Sequence, residues 1–400
     1  MFLAFLTLSL NLRAPITALP PVITEVKNAL SMTPAFAGIL TTIPVLCFGL
    51  FTPFASKIIG KTGIENAIML TLGDVLIGSV VRVLGGTGCM LAGTILIGLA
   101  LTVGNLLELL VIARDYKSSA GMMTGIMVLG MSFGGMITSS LTVPIAHMFD
   151  WRWALAFWSL FALLSLILWI PGYRRESSKA KHAAAKPITS AKNRMSFKQF
   201  SPAKIRAVIA LTLAFSAHSF AFYGIVAWLP TFLVQNAHFS NDKAGVIVSI
   251  FHLLGFVGCM GMPLLKKWFN LSIGWMFVIG GLTWFLVPTG FYLLPQHWLL
   301  WDIAGGIGCG SAFVIIFSLI IAKSASLEEN RYTSSVVQSI GYIIASISPM
   351  ITGWLYQISG HWRSSFTVLA LATLIFMIGG LLANFFYKQS EQTPKTSAST

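Results

Sequence analysis

Charged residues are scarce in this sequence. Asp, Glu, Lys and Arg make up 10% of its 400 residues, whereas soluble domains carry about 25%. Together with 56% hydrophobic residues and a mean hydropathy of +0.81, this scarcity excludes an ordinary water-soluble fold. Cysteine is also rare. All four cysteines lie within apolar stretches without disulfide or metal-ligand spacing, and we interpret them as small core residues.

Several motifs that would indicate an enzyme or an ATP-driven pump are missing. No GxxxxGK[ST] segment is present, so ATP is not expected to be the energy source. The sequence contains no HExxH, no GxSxG and no His/Asp cluster, so we expect no metal, no cofactor and no enzymatic activity. A non-transporting membrane sensor stays a remote alternative, because such proteins usually carry a soluble signalling domain.

The positive charge is concentrated rather than spread. The net charge is +14, but ten of the 26 Lys and Arg residues lie between Arg174 and Arg206, where Glu176 is the one acid. This pattern indicates a cytoplasmic loop of a membrane protein rather than a nucleic-acid-binding surface.

Apolar runs separated by polar residues predict twelve transmembrane segments. Helix is the expected conformation, because an open strand would leave backbone groups unpaired in lipid. The predicted spans are 2–25, 34–56, 65–84, 88–113, 119–146, 153–171, 205–232, 243–265, 273–294, 297–322, 333–357 and 363–387. Met1 leads directly into apolar sequence without a cleavage site, so we expect no cleaved signal peptide and a natural start further upstream.

The two halves of the sequence are similar. Residues 37–43 match residues 244–250 at a shift of 207, and Trp151-Arg152 matches Trp362-Arg363 at a shift of 211. This pattern is typical of a transporter built from two parallel repeats. The predicted domains are an N-terminal six-helix bundle (1–171), a basic cytoplasmic linker (172–204), a C-terminal six-helix bundle (205–387) and a cytoplasmic tail (388–400).

A series of short motifs carries a resemblance to a known family. They are Asn11-Leu12-Arg13, Gly104-Asn105, Arg114-Asp115, Trp151-Arg152, Tyr223, Trp228-Leu229-Pro230, and Gln338-Ser339-Ile340-Gly341-Tyr342 with Pro349 and Gly353. In this order they resemble the major facilitator superfamily, in its cyanate and 2-nitroimidazole porter branch. The resemblance implies a monomeric alternating-access carrier in the bacterial inner membrane. Its first, fourth, seventh and tenth spans would line a central cavity, and its partners would be a small-molecule substrate, protons and the lipid bilayer.

The chain departs from the branch at several positions. His218 and His252 stand where relatives carry Asn or Gln, Glu108 and Asp74 replace apolar residues, and Ser56 stands where an aspartate is usual. These departures add titratable groups to the expected pathway.

Ionisable residues within the membrane are costly and therefore indicate function. Arg13 lies near the middle of its span, where it is an anion or polar-headgroup clamp, half of a fixed pair with an acid such as Glu108, or both. Glu108 shares a helix face with Asn105, and a buried carboxyl group can bind and release a proton. Glu108 and, less strongly, Asp74 are therefore the candidates for proton coupling. A permanent salt bridge is the alternative for Glu108.

Further polar and aromatic residues are candidates for substrate binding. Together with Arg13 they are Asn11, Asn105, His218, Ser219, Tyr223, Trp228, His252, Gln338 and Tyr342. Hydrogen bonding between helices is the equally simple alternative.

Gly130 and Gly134 of the fifth span have a spacing that indicates close helix packing. The sequence thus favours a proton-coupled secondary transporter of a small polar or anionic solute. Drug or metabolite efflux is the alternative.

The distribution of basic residues predicts that both termini are cytoplasmic. With residues 172–204 inside, the inner loops and tail hold 20 Lys and Arg residues, against five at the outer side. Green fluorescent protein fused after Thr400 should therefore fluoresce, and alkaline phosphatase at the same point should be inactive. Alkaline phosphatase inserted between the first two predicted spans should be active. The reverse pattern would contradict this orientation.

Overall fold

The computed structural model describes residues 2–32, 34–183 and 200–392, and all regular structure in these ranges is helical. Twelve helical segments are long and apolar enough to cross a membrane, which confirms the prediction of a twelve-span all-helical protein. The chain forms two compact units, whose described residues are 2–183 and 200–392. Residues 184–199 of the predicted linker and 393–400 of the predicted tail lie outside the described residues.

The described residues of the N-terminal unit form nine α-helices. They are α1 (Phe2–Asn11), α2 (Ala14–Thr17), α3 (Ile23–Ala29), α4 (Pro34–Thr62), α5 (Ile64–Leu84), α6 (Thr87–Asp115), α7 (Ala120–Met148), α8 (Trp151–Phe157) and α9 (Ser159–Ala183). A 3₁₀ turn, Pro20–Val22, joins α2 to α3, and another, Lys117–Ser119, joins α6 to α7.

Between residues 200 and 392, the described part of the C-terminal unit, the chain forms seven α-helices. They are α10 (Pro202–Gln235), α11 (Asn241–Phe269), α12 (Ile273–Leu293), α13 (Trp298–Lys323), α14 (Leu327–Ser346), α15 (Ser348–Ser359) and α16 (Arg363–Gln392). Helices α5 and α12 are both 21 residues long and begin 209 residues apart, so the repeat seen in the sequence is also a repeat of structural elements.

Three predicted spans are not continuous helices. The first is broken at Leu12–Arg13, because Pro15 in the first turn of α2 has no N–H group for the helical ladder. The sixth is interrupted at Trp158, and the eleventh at Ile347, two residues before Pro349. Other boundaries were predicted too short: α9 continues to Ala183 and α14 begins at Leu327. Hydropathy detects the apolar part of a helix and misses the polar turns beyond it.

Glycines let pairs of helices approach closely. A β-carbon at Gly130 would lie 2.5 Å from the β-carbon of Ser9, and one at Gly134 would meet the backbone of Leu10. Helix α1 therefore packs directly on α7, as the glycine spacing predicted. In the C-terminal unit, a β-carbon at Gly258 of α11 would meet the carbonyl oxygens of Gly306 and Ile307 in α13.

Charged residues tie helix ends together in both units. In the N-terminal unit, the Arg114 Nη1 and Glu65 Oε1 atoms are 2.8 Å apart, and Trp169 Nε1 donates a 2.5 Å hydrogen bond to Glu65 Oε2. This group joins α5, α6 and α9. In the C-terminal unit, an ion pair between Lys204 and Glu329 joins α10 to α14.

Two glycines of α11 offer a matched test of helix packing. Gly258→Ala should destabilise the protein by about 1–3 kcal/mol, because the added methyl group meets backbone that cannot move aside. Gly261→Ala, one turn along the same helix, should be neutral or slightly stabilising, because a β-carbon there has no neighbour within 4 Å. Unfolding of both purified variants in detergent measures the difference. Equal effects would contradict this account of the α11–α13 contact.

Candidate functional site

A buried carboxylate lies in the interior of the N-terminal unit. Glu108 is 0% exposed, and its Oε1 atom accepts a 2.7 Å hydrogen bond from Ser9 Oγ on α1. The other oxygen, Oε2, has no hydrogen-bond partner within the described part of the chain. The partner of Glu108 is thus a neutral hydroxyl rather than Arg13, which disfavours the fixed Arg13–Glu108 pair.

Arg13 lies at the break in the first span. It is the residue before α2, its side chain is partly exposed, and its carbonyl oxygen accepts hydrogen bonds from Ile16 N and Thr17 N, each at 3.0 Å. The hydroxyl of Thr17 lies 2.7 Å from that of Thr138 on α7. A β-carbon at Gly135 would lie 3.8 Å from Arg13 Cβ, so Arg13 faces α7.

The two asparagines of the N-terminal unit have different surroundings. The amide nitrogen of Asn11 donates to the carbonyl of Phe161 at 3.0 Å and to Ser165 Oγ at 2.8 Å, as well as to its own helix. These bonds join α1 to α9 and give Asn11 a structural contact. Asn105 is 2% exposed, and its Oδ1 has no hydrogen-bond partner among the described residues. It lies one turn before Glu108.

Asp74 differs from Glu108 in its environment. Its side chain is exposed on α5, whereas Glu108 is completely buried on α6. The structure therefore does not bring the two predicted proton-coupling acids into a common environment.

Aromatic rings form a closed series of contacts in the C-terminal unit, which we call the aromatic cycle. The ring of Phe222 lies 6.5 Å from His218 and 6.2 Å from His252. The ring of Phe251 lies 5.7 Å from His252 and 6.1 Å from Trp284. Trp284 closes the cycle at 6.1 Å from His218. The cycle joins α10, α11 and α12, and brings together the two histidines predicted from the sequence.

The aromatic cycle contains polar atoms without partners. His218 Nδ1 and Trp284 Nε1 are buried and make no hydrogen bond within the described residues, and the same holds for the hydroxyl of the adjacent Tyr223. His252 is exposed at the edge of the cycle. Aromatic faces with a few buried polar atoms are typical of small-molecule sites.

The remaining candidates of this unit lie elsewhere. Trp228 Nε1 donates a 2.8 Å hydrogen bond to the carbonyl of Pro349, so Trp228 joins α10 to α15. Tyr342 packs edge-on against Phe215 at 5.3 Å. Gln338 is 1% exposed with its Nε2 atom unpartnered in the described structure, and Ser219 is buried one turn before Tyr223. Gln338, like the aromatic cycle, therefore has a buried polar atom without a partner among the described residues.

Sequence reasoning missed several residues of these clusters. Ser9, the partner of Glu108, carries no signal except that it lies one turn before Arg13. Arg82 and Asp302 lie near the ends of α5 and α13, and both are buried, at 1% and 0% exposure. Trp284 resembles any other aromatic residue of a span. No group of three or more His, Cys, Asp or Glu residues suited to a metal occurs among the described residues.

Comparison with known proteins finds a matching family model and similar transport proteins. The family model of the Major Facilitator Superfamily matches residues 1–286. The chain is 27% identical over 385 residues to the 2-nitroimidazole transporter of Escherichia coli (strain K12), which covers 94% of this chain and 93% of that protein. It is 23% identical over 382 residues to the cyanate transport protein CynX of the same strain, covering 94% and 95%.

A solved structure is similar in fold. The crystal structure of the transporter FucP in the outward conformation matches with a TM-score of 0.74 at 14% identity, covering 96% of this chain and 98% of that chain. At this identity the similarity concerns the fold alone.

Proposed function

Because this chain belongs to the major facilitator superfamily, as its resemblance to the cyanate and 2-nitroimidazole branch predicted, we propose that it is a secondary active transporter of a small polar or anionic solute. It works by alternating access, as a monomer, in the bacterial inner membrane with both termini in the cytoplasm. The observation that carries the proposal is the buried Glu108, whose one hydrogen-bond partner in the described residues is the hydroxyl of Ser9.

Arg13 is the proposed contact for a negatively charged or strongly polar group of the solute. It lies at a break in a transmembrane helix, where the chain departs from a regular helix. Its guanidinium presents a planar fork of donors that suits a carboxylate-like or cyanate-like group. The partial exposure of Arg13 supports access of a solute to this fork.

Glu108 is the proposed proton carrier. A buried carboxylate whose one hydrogen-bond partner among the described residues is a hydroxyl is unfavourable as an anion, because a hydroxyl does not neutralise its charge. Loading a proton removes that charge, and releasing it requires a change in the surroundings. Ser9 and Arg13 both lie against α7, at Gly130 and Gly135, which supports a link between the state of Glu108 and the solute.

The aromatic cycle is the proposed contact for a flat heterocyclic solute. Ring faces of Phe222 and Trp284 suit stacking with an azole, and His218 Nδ1 and Trp284 Nε1 offer hydrogen bonds. The 2-nitroimidazole relative supports an azole, and the cyanate relative supports a small anion. Both are therefore suitable probes.

Efflux of a drug or metabolite is the second candidate. The aromatic cycle favours it as much as import, because a stacking surface is independent of the direction of transport. Cells that lack the protein should contain less of the solute if the protein imports it, and more if the protein exports it.

Replacing Arg13 should weaken binding of the solute while the protein still folds. In proteoliposomes, Arg13→Ala should lower the affinity for cyanate or another small anion at least about tenfold, because charge-assisted hydrogen bonds are lost. Arg13→Lys should recover part of the affinity, since it keeps the charge and loses the fork. Arg363→Ala removes an exposed cation and is the control. Unchanged uptake by Arg13→Ala would refute its role as the solute contact.

Replacing Glu108 should separate exchange from coupling. Glu108→Gln keeps the size of the side chain and an acceptor for Ser9, so exchange of labelled for unlabelled solute should continue. Uptake driven by a pH gradient should be lost, because an amide binds no proton at these pH values. Glu25→Gln, which removes a partly exposed acid, should leave coupling intact. Full pH-driven uptake by Glu108→Gln would show that another group carries the proton.

A further inference from the structure

Another arginine of the N-terminal unit, Arg82, is buried, and no described residue supplies a counter-ion to it. Arg82 lies in the last turn of α5 and is 1% exposed. Its Nη1 atom donates a 2.9 Å hydrogen bond to the carbonyl of Pro15. Its Nε and Nη2 atoms have no partner, and no carboxylate of the described residues forms an ion pair with it. A guanidinium cannot lose its proton, so this charge has to be balanced in another way.

Ser79 adds a further donor on the same face of α5. It lies three residues before Arg82, which is one helical turn, and it is also 1% exposed. A serine within a helix commonly donates to the carbonyl four residues earlier. The Ser79 hydroxyl makes no hydrogen bond to any described residue. Three donor groups without acceptors therefore occur within one turn.

The backbone of Arg82 is tightly packed against α6. A β-carbon at Gly93 of α6 would lie 2.5 Å from Arg82 N and 2.6 Å from Arg82 Cα, so α6 lies directly against α5 at this point. Val83 packs against a buried apolar cluster that includes Leu19 and Met90. Because Arg82 and Ser79 are each 1% exposed, an occupant of this site would be enclosed by the protein and must be small.

We propose that Arg82 and Ser79 hold a small monovalent inorganic anion such as chloride. The donors that lack partners are one edge of a guanidinium and a hydroxyl, a set that suits an anion. One negative charge neutralises the one cation, which explains why a monovalent anion fits. The bond from Arg82 to Pro15 links the anion to α2.

Arg82 and Arg13 contact different residues. Arg82 reaches Pro15 from α5, whereas Arg13 faces Gly135 of α7. The anion is thus a structural component of the N-terminal unit rather than the transported solute, and the inference does not depend on transport.

Thermal unfolding of the purified full-length protein tests the site. At constant ionic strength, replacing gluconate by chloride or bromide should raise the unfolding midpoint, because an ion that binds the folded state stabilises it. Gluconate is too large for the site. Ser79→Ala should need about tenfold more chloride for the same shift, because one hydrogen bond to a charged group is lost. Arg82→Met should abolish the shift.

Control variants separate this site from other ions. Arg13→Met and Arg363→Met each remove one cation elsewhere and should keep the chloride response. Equal midpoints of the unmodified protein in chloride and gluconate would overturn the proposal. So would an unchanged chloride response in Ser79→Ala, or a response that disappears in Arg13→Met. If Arg82→Met does not fold, Ser79→Ala decides the question alone. Because no solute is transported in this assay, its failure is distinct from a failure of the proposed function.

Discussion

Polar groups inside a bilayer have no water to bind, so their partners must come from the protein itself. The described residues meet this constraint first by forming helices throughout. Hydroxyl side chains follow the same rule: Thr102 and Thr124 donate to the carbonyls four residues earlier, each at 2.7 Å. Glycines then bring helices close enough for contacts between backbones, as at Gly134 and Gly258. The architecture of each unit follows from this requirement.

The exceptions, which are buried polar atoms without a hydrogen-bond partner among the described residues, differ between the two units. In the N-terminal unit they include one oxygen of Glu108 and two nitrogens of Arg82, which are charged groups. In the C-terminal unit they include His218 and Trp284, which belong to a group of aromatic rings. Asp302 is an ionisable exception there, with neither oxygen paired among the described residues. The exceptions named in the N-terminal unit are therefore ionisable side chains, whereas those in the C-terminal unit also include aromatic rings.

The sequence predicted the global features well because they depend on composition over long windows. Twelve apolar runs, the near-constant shift between halves and the spacing of Gly130 and Gly134 all have a direct structural counterpart. The site was predicted only in part. Arg13 and Glu108 stand out in the sequence because they are charged. Whether Glu108 pairs with Arg13 could not be predicted, because its hydrogen-bond partner, Ser9, lies 99 residues away in the sequence. The burial of Arg82 also could not be predicted from the sequence, because it depends on how α6 packs against α5.

The break in the first span has a mechanical consequence. Leu12 N and Arg13 N bond to carbonyls three residues earlier, at 3.2 and 3.5 Å, and Ile16 N turns to the carbonyl of Arg13. The regular ladder therefore stops, and bending stress is not transmitted along the axis from α1 to α2. A tilt of α1 relative to α2 would strain only the few long hydrogen bonds at Leu12 and Arg13. The first span therefore has one joint next to its cation, at Leu12–Arg13, in addition to the irregular segment at Pro20–Val22.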